Sequence, residues 1–163
     1  DPFVFGRGAE EALELARAGI PCEVIPGVTS AVAAAELAGI PVTHRGLSSG
    51  FLVIAGHAGE TFDASLNAVR PNTITLVIMM GVAVREVIAK RLQDHGWTAD
   101  SRAALVCAAS APDQWVWTGR LHDVGAAEPP EGVPGVMVVG EVVQIREALN
   151  AELNHEDLRV LRG

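Results

Sequence analysis

Residues 73–81, TITLVIMMG, followed at 83–96 by AVREVIAKRLQDHG, decide the fold. The first stretch is an unbroken apolar run closed by Gly81, as in a strand buried on both faces. The second spaces its apolar residues for one helix face and stops at Gly96. A buried strand feeding an amphipathic helix is the unit of a layered α/β sheet, whose ligands gather at the carboxyl ends of strands. Met80 stands at such an end, where its adaptable side chain suits an adenine or a sulfonium. A packed core methionine accounts for it too, and the strand read alone favours that.

Outward from this unit the pattern continues. FLVIAGH (51–57), RAALVCAAS (102–110), QWVWTGRL (114–121) and GVMVVGEVV (135–143) read as strands, with Trp115 and Trp117 on one face. Shorter strands are predicted at FVF (3–5) and PCEVIPGV (21–28). Helices are predicted at 9–19, 29–39 and 144–154, the second capped by Thr29 or Ser30 and ended by Gly39. AAEPPEGVPG (126–135) is a loop, and the tail 155–163 is expected to be ordered in part at best. Helices and strands alternate early and strands crowd together late. That order implies an α/β fold with a mixed sheet rather than a pure βαβ series.

Composition narrows the function. The net charge of −8 excludes nonspecific binding to nucleic acid or anionic membranes, both of which need a positive field. Eleven of the twelve basic residues are arginine, so carboxylate contacts would be made by guanidinium forks. No apolar run reaches the ~18 residues of a membrane span. Cys22 and Cys107 are too far apart for a C-x-x-C pair and read as buried thiols of a cytoplasmic protein. The five histidines show no metal-binding spacing, and no metal is expected. GRGAEE (6–11) lacks the third glycine of a dinucleotide fingerprint. In GLSSG (46–50) Ser48 precedes a strand instead of following one, which is the wrong order for a nucleophile elbow. His95, beside Gly96, reads as a helix-end histidine favoured by the dipole. PGVTSAVAAAELAG (26–39) offers two hydroxyls beside free helix N–H groups and an alanine face that permits close approach. A capped helix packed on its neighbour accounts for the same residues.

Four stretches in register, DPFVFGRG (1–8), PGVTSA with GIPVTHRG (26–31 and 39–46), VIMMG (77–81) and PGVMVVGEVV (134–143), resemble the tetrapyrrole (corrin/porphyrin) methylases. The resemblance runs over essentially the whole chain but only the later part of the family's length, so a truncated chain is expected. It implies a tetrapyrrole methylase-like fold in which 1–27 end an N-terminal α/β domain and 28–163 form a C-terminal, mixed-sheet α/β domain. It further implies a homodimer that uses S-adenosylmethionine to C-methylate uroporphyrinogen III to precorrin-2. DPFVFGRG and GIPVTHRG are specific to that branch and argue against a sister precorrin methylase. By the same resemblance Asp1, Val4, Thr29, Ser30, Met80 and Ala109 contact the cofactor, while Arg7, His44 and Arg45 face the cleft and bind substrate, Arg45 helping to hold its carboxylates. Arg7 and Arg45 are expected to form a local cationic cluster. The sequence departs from the family at Met79, where tyrosine is usual, and at Cys107-Ala108-Ala109-Ser110, where Glu-x-Gly-Thr is usual; Gln114 is retained. The family's acid and base residues lie upstream, so no catalytic residue is assigned. These departures also leave open a binding or dimerisation fragment without turnover.

Overall fold

The computed structural model describes residues 1–57 and 59–160, with residues 154–160 described by their backbone alone. Five strands form one mixed sheet: β1 (Phe51–Ala55), β2 (Thr75–Met79), β3 (Arg102–Cys107), β4 (Trp115–Arg120) and β5 (Gly135–Val139), in the spatial order β1-β2-β5-β3-β4. β1 and β2 are parallel, while β5 runs antiparallel to both β2 and β3, and β4 antiparallel to β3. The carboxyl ends of β1, β2 and β3 therefore share one edge with the amino ends of β4 and β5. Along it Ala55 pairs with Met79 and Met79 with Val136, while Cys107 pairs with Gly135 and Trp115.

Alternation along the strands divides the core into two layers. Leu76, Ile78, Ala103, Leu105, Cys107, Met137 and Val139 face one side. They pack there against α3 (Glu60–Asn67), α4 (Arg85–Asp94), Trp97 and the 3-10 turn Leu121–Ala126. Val77, Ala104, Val106, Val136 and Val138 face the other, against α2 (Ser30–Leu37), Ile40, Val142 and Val143. The contact face of α2 is Ala31, Ala34, Ala35 and Ala38, at the i, i+3, i+4, i+7 spacing of one helix stripe. These small side chains let the helix lie close to the sheet. Its hydroxyl cap is Thr29, whose Oγ1 accepts the Ala31 N–H at 3.2 Å, and Gly39 ends it at φ +70°.

The five long strand runs and the predicted helices stand where the sequence puts them. The two short N-terminal strands do not form. Residues 3–5 lie in a turn closed by the Gly8 N–H on the Pro2 carbonyl at 3.1 Å, with Phe5 at φ +52°. Residues 21–28 pair with no strand. Apolar alternation is only half of a strand; the other half is a neighbouring backbone to bond, and neither segment has one. α1 (Gly8–Arg17) forms as expected but buries none of its residues. Phe3, Phe5, Leu13, Ile20, Val24, Ile25 and Val28 are all exposed along this segment. Cys22 is exposed as well, contrary to the sequence reading, and only Cys107 is buried. α3 is absent from the sequence reading, although Gly59, Glu60 and Asp63 in the first turn and Phe62 and Leu66 on one face mark it. The last helix, α5, runs from Gln144 to Val160, beyond the expected Asn154. Residues 161–163 of the predicted tail lie outside the described residues.

Candidate functional site

A cleft of about 310 Å3 opens at the carboxyl edge of the sheet. Ser30 and Ala34 of α2 form one wall. Met79 and Met80 close the end of β2, Val106, Ala108 and Ala109 the end of β3, and Pro134, Gly135 and Val136 the start of β5. Three of the six expected cofactor contacts, Ser30, Met80 and Ala109, thus meet in one place. Thr29, a fourth, caps the helix that carries Ser30.

The backbone around this cleft is strained. Among the described residues five non-glycine residues adopt positive φ, and Met80 (+57°), Ala108 (+49°) and Ser110 (+71°) are three of them. Met80 and Ala108 line the cleft, and Ser110 lies in the loop just beyond. A left-handed L-residue costs about 1–2 kcal/mol, and such costs collect where a fold must aim its backbone at a ligand. The Ala108 N–H donates to the Pro134 carbonyl at 3.0 Å, and the Ala108 carbonyl accepts the Ala111 N–H at 3.0 Å. Both peptide groups of this residue are therefore fixed.

Two glycine contacts shape the edge. The Gly56 N–H donates to the Met79 carbonyl at 2.6 Å, and a Cβ on Gly56 would lie 2.5 Å from Gly81 Cα. The ends of β1 and β2 cross main chain on main chain, and Met80 sits in the bend. At Gly135 a Cβ would come within 2.7 Å of Cys107 Sγ. Cys107 lies beneath the cleft on the opposite side of the sheet. Burial pushes its thiol above the ordinary value of 9.0, with the Arg85 guanidinium opposing that shift. It is a packing residue in its neutral form.

The remaining expected contacts lie elsewhere. Asp1 Oδ1 accepts the Phe3 N–H at 2.8 Å and Oδ2 the Gly27 N–H at 3.3 Å, which holds the first residue against the turn before α2. Val4 is half-buried in the same segment, and neither residue lines the cleft. Arg7, His44 and Arg45, expected to face the cleft, do not line it. Arg7 Nε pairs with Glu10 Oε2 at 2.6 Å on an open surface. His44 and Arg45 line a separate polar hollow of about 620 Å3 with Thr43, Ser48, Ser49 and Thr73. Gly50 and Thr73 precede β1 and β2, so this hollow belongs to the amino ends of those strands. Five residues of strand at ~3.3 Å each put it about 16 Å from the cleft. The expected cluster of Arg7 with Arg45 is not formed at the cleft, because Arg45 lies in the hollow at the amino ends of β1 and β2 while Arg7 is paired with Glu10. A further hollow of about 390 Å3 at the end of β1 includes His57, Glu60 and Phe5, which brings the N-terminal segment to the cleft's edge of the sheet.

Ala108, Pro134 and Gly135 were missed as lining residues. The strand-end rule that singled out Met80 reaches Ala108 when applied to β3. Pro134 and Gly135 needed the antiparallel placement of β5. Among the described residues no three His, Cys, Asp or Glu side chains are grouped to hold a metal ion. No described helix is long and apolar enough to cross a membrane.

Residues 1–125 match the family described as Tetrapyrrole (Corrin/Porphyrin) Methylases. A uroporphyrinogen-III C-methyltransferase of Methanocaldococcus jannaschii is 42% identical over 152 residues, covering 91% of this chain and 63% of that protein. A siroheme synthase of Neisseria meningitidis serogroup C is 41% identical over 150 residues, covering 91% of this chain and 31% of that protein. A uroporphyrin-III C-methyl transferase of Thermus thermophilus, solved in complex with S-adenyl homocysteine, superposes with a TM-score of 0.76 at 38% identity, over 89% of this chain and 64% of that one. The chain thus spans less than two thirds of the length of each. On fold, sequence and the strand-end cleft together, the chain belongs to the tetrapyrrole (corrin/porphyrin) methylases.

Proposed function

We propose that the cleft holds S-adenosylmethionine for C-methylation of uroporphyrinogen III towards precorrin-2. The observation that carries this reading is the convergence of Ser30, Met80 and Ala109 on one strand-end cleft with left-handed backbone at Met80 and Ala108. The fit is chemical as well. Ala34 of α2 and the strand ends give a mostly apolar lining for a flat ring, and the bent main chain supplies peptide groups for its polar edge. S-adenosylmethionine supplies an electrophilic methyl group. Ser30, the Met80 backbone and Ala109 orient the donor, and the apolar walls keep water from the reacting pair. Alignment of two bound reactants accounts for much of the rate in such a transfer.

In the same reading residues 1–27 end an N-terminal α/β domain and residues 28–163 form the C-terminal one. The unburied α1 and the exposed apolar side chains between Phe3 and Val28 support this division. The parent protein would act as a cytoplasmic homodimer. A second reading, donor binding without turnover, is favoured by one observation: none of Arg7, His44 and Arg45 lines the cleft, so none of these side chains stands in it to receive a polycarboxylate.

Calorimetric titration of S-adenosyl homocysteine into the chain tests the first reading. One saturable site per chain supports it, and an absence of heat overturns it. Saturable heat without methyl transfer to uroporphyrinogen III selects the second.

A further inference from the structure

We infer that Gln114 is a positioning residue that locks the β3–β4 loop against α2 and so sets the width of the cleft. This inference rests on the cleft being the methyl-donor site. The loop 108–114 carries two left-handed residues, Ala108 and Ser110, with no glycine to relieve either. A loop strained twice in three residues opens unless bonds at both ends hold it. At one end the Ala108 N–H is fixed by the Pro134 carbonyl. At the other, the Gln114 side chain spans the gap.

Its Oε1 accepts the Ser110 N–H at 3.2 Å, and its Nε2 donates to the Leu37 carbonyl at 3.4 Å. Only one orientation of the amide serves both partners, since Ser110 needs an acceptor and Leu37 a donor. Leu37 is the last residue of α2, and its carbonyl belongs to the turn that a helix leaves without internal partners. One side chain therefore satisfies a strained loop amide and a helix-end carbonyl together. These elements are the two walls of the cleft, Ala108 and Ala109 on one side and Ser30 and Ala34 on the other. Gln114 itself is not among the lining residues. It acts on a ligand only through the distance between the walls. Arg146 supports the same helix end from α5, where Nη1 donates to the Ala38 carbonyl. The end of α2 is thus fixed from two directions, but only the Gln114 bond reaches the cleft loop.

Two variants divide the two bonds. Gln114→Ala removes both. Gln114→Glu keeps an acceptor for Ser110 and loses the donor to Leu37. Each is measured by S-adenosyl homocysteine titration and by hydrogen exchange at the Ser110 amide, well below the melting temperature. Gln114→Ala should weaken binding by about tenfold and speed Ser110 exchange by a similar factor, the loss of two ordinary hydrogen bonds. Gln114→Glu should keep Ser110 protected and still lose part of the affinity. A purely structural role would lower the melting temperature and leave the affinity of the folded protein unchanged. If the unaltered chain binds and Gln114→Ala binds equally well, the latch is overturned. If the unaltered chain does not bind, the donor-site reading fails instead. The latch then stands or falls on Ser110 exchange, and unchanged protection in Gln114→Ala overturns it.

Discussion

Gly56→Ala should destabilise the protein strongly, whereas Gly50→Ala, at the other end of β1, should not. A Cβ on Gly56 would meet Gly81 Cα at 2.5 Å, Gly81 N at 2.9 Å and Ile88 Cδ1 at 3.0 Å. Carbon atoms rest about 3.5–4.0 Å apart, so the overlap with Gly81 is about 1 Å. The Ile88 tip can rotate away. The Gly81 main chain cannot, because its carbonyl accepts the Val84 N–H at 3.1 Å and Gly56 is tied to the Met79 carbonyl at 2.6 Å. Separating the two backbones means breaking that bond or bending both strand ends. Overpacking of this kind costs about 3 kcal/mol, near the upper end of its usual range. In a domain of this size that is a fall in Tm of about 6–12 °C. At Gly50 nothing lies within 4 Å and φ is not left-handed, so alanine should be neutral or gain up to about 1 kcal/mol from a stiffer unfolded chain. Urea denaturation and scanning calorimetry of both variants against the unaltered chain measure the difference. A Gly56→Ala protein within about 0.5 kcal/mol of the parent would refute the main-chain crossing on which the placement of Met80 depends.

Three other outcomes follow from the same geometry. At an ordinary position alanine is more stable than glycine, but at Met80 the order should invert by about 1 kcal/mol, because only glycine escapes the left-handed penalty. Denaturation of Met80→Gly and Met80→Ala reads the order, and both should bind S-adenosyl homocysteine more weakly. Cys107 holds its proton longer folded than unfolded, so its contribution to stability is complete below pH 9.0 and is lost as pH rises from there through the folded value. Cys107→Ala should therefore lose Tm less steeply above that pH, and in the native protein a thiol reagent at neutral pH should label Cys22 alone. Arg91 Nη1 meets Asp63 Oδ2 at 2.6 Å with both side chains about a third exposed, at 35% and 31%. Solvent screening holds the pair to about 1 kcal/mol. Arg91→Ala should cost more than Asp63→Ala in urea denaturation, because it leaves behind a carboxylate whose Oδ1 is buried with no hydrogen-bond partner among the described residues.

The sheet was legible because its strands carry their own signal. β2 and β5 are apolar on both faces, as central strands covered by helices on both sides must be. The α2 cap and its alanine stripe were legible for the same reason, since cap chemistry and helical spacing are local. FVF and PCEVIPGV failed because a strand is a relation between two backbones, and sequence reports only one of them. His44 and Arg45 lie away from the cleft for a different reason. Their motif was recognised, but motif order says nothing about which edge of the sheet a loop will reach. The connection from the end of α2 to the amino end of β1 decides that.

The cleft itself was half legible, and its bent backbone belongs to the half that was not. Sequence reading takes glycine as the sign of left-handed backbone, so Cys107-Ala108-Ala109-Ser110 stood out as a departure from the family pattern and not as bent main chain. Yet the strain sits on Met80, Ala108 and Ser110, residues whose types give no hint of it. Positive φ at a side-chain-bearing residue persists only when surrounding bonds fix it more firmly than its own preference opposes it. At Ala108 those bonds come from Pro134 and Ala111; at Ser110 the acceptor is Gln114. None of these partners adjoins its residue in the chain. Replacing Ser110 by glycine would remove the strain without touching any partner. If the left-handed turn exists only because Gln114 enforces it, Ser110→Gly should largely rescue the stability lost in Gln114→Ala. A rescue no larger than the gain Ser110→Gly gives on its own would mean that the strain and the latch are independent.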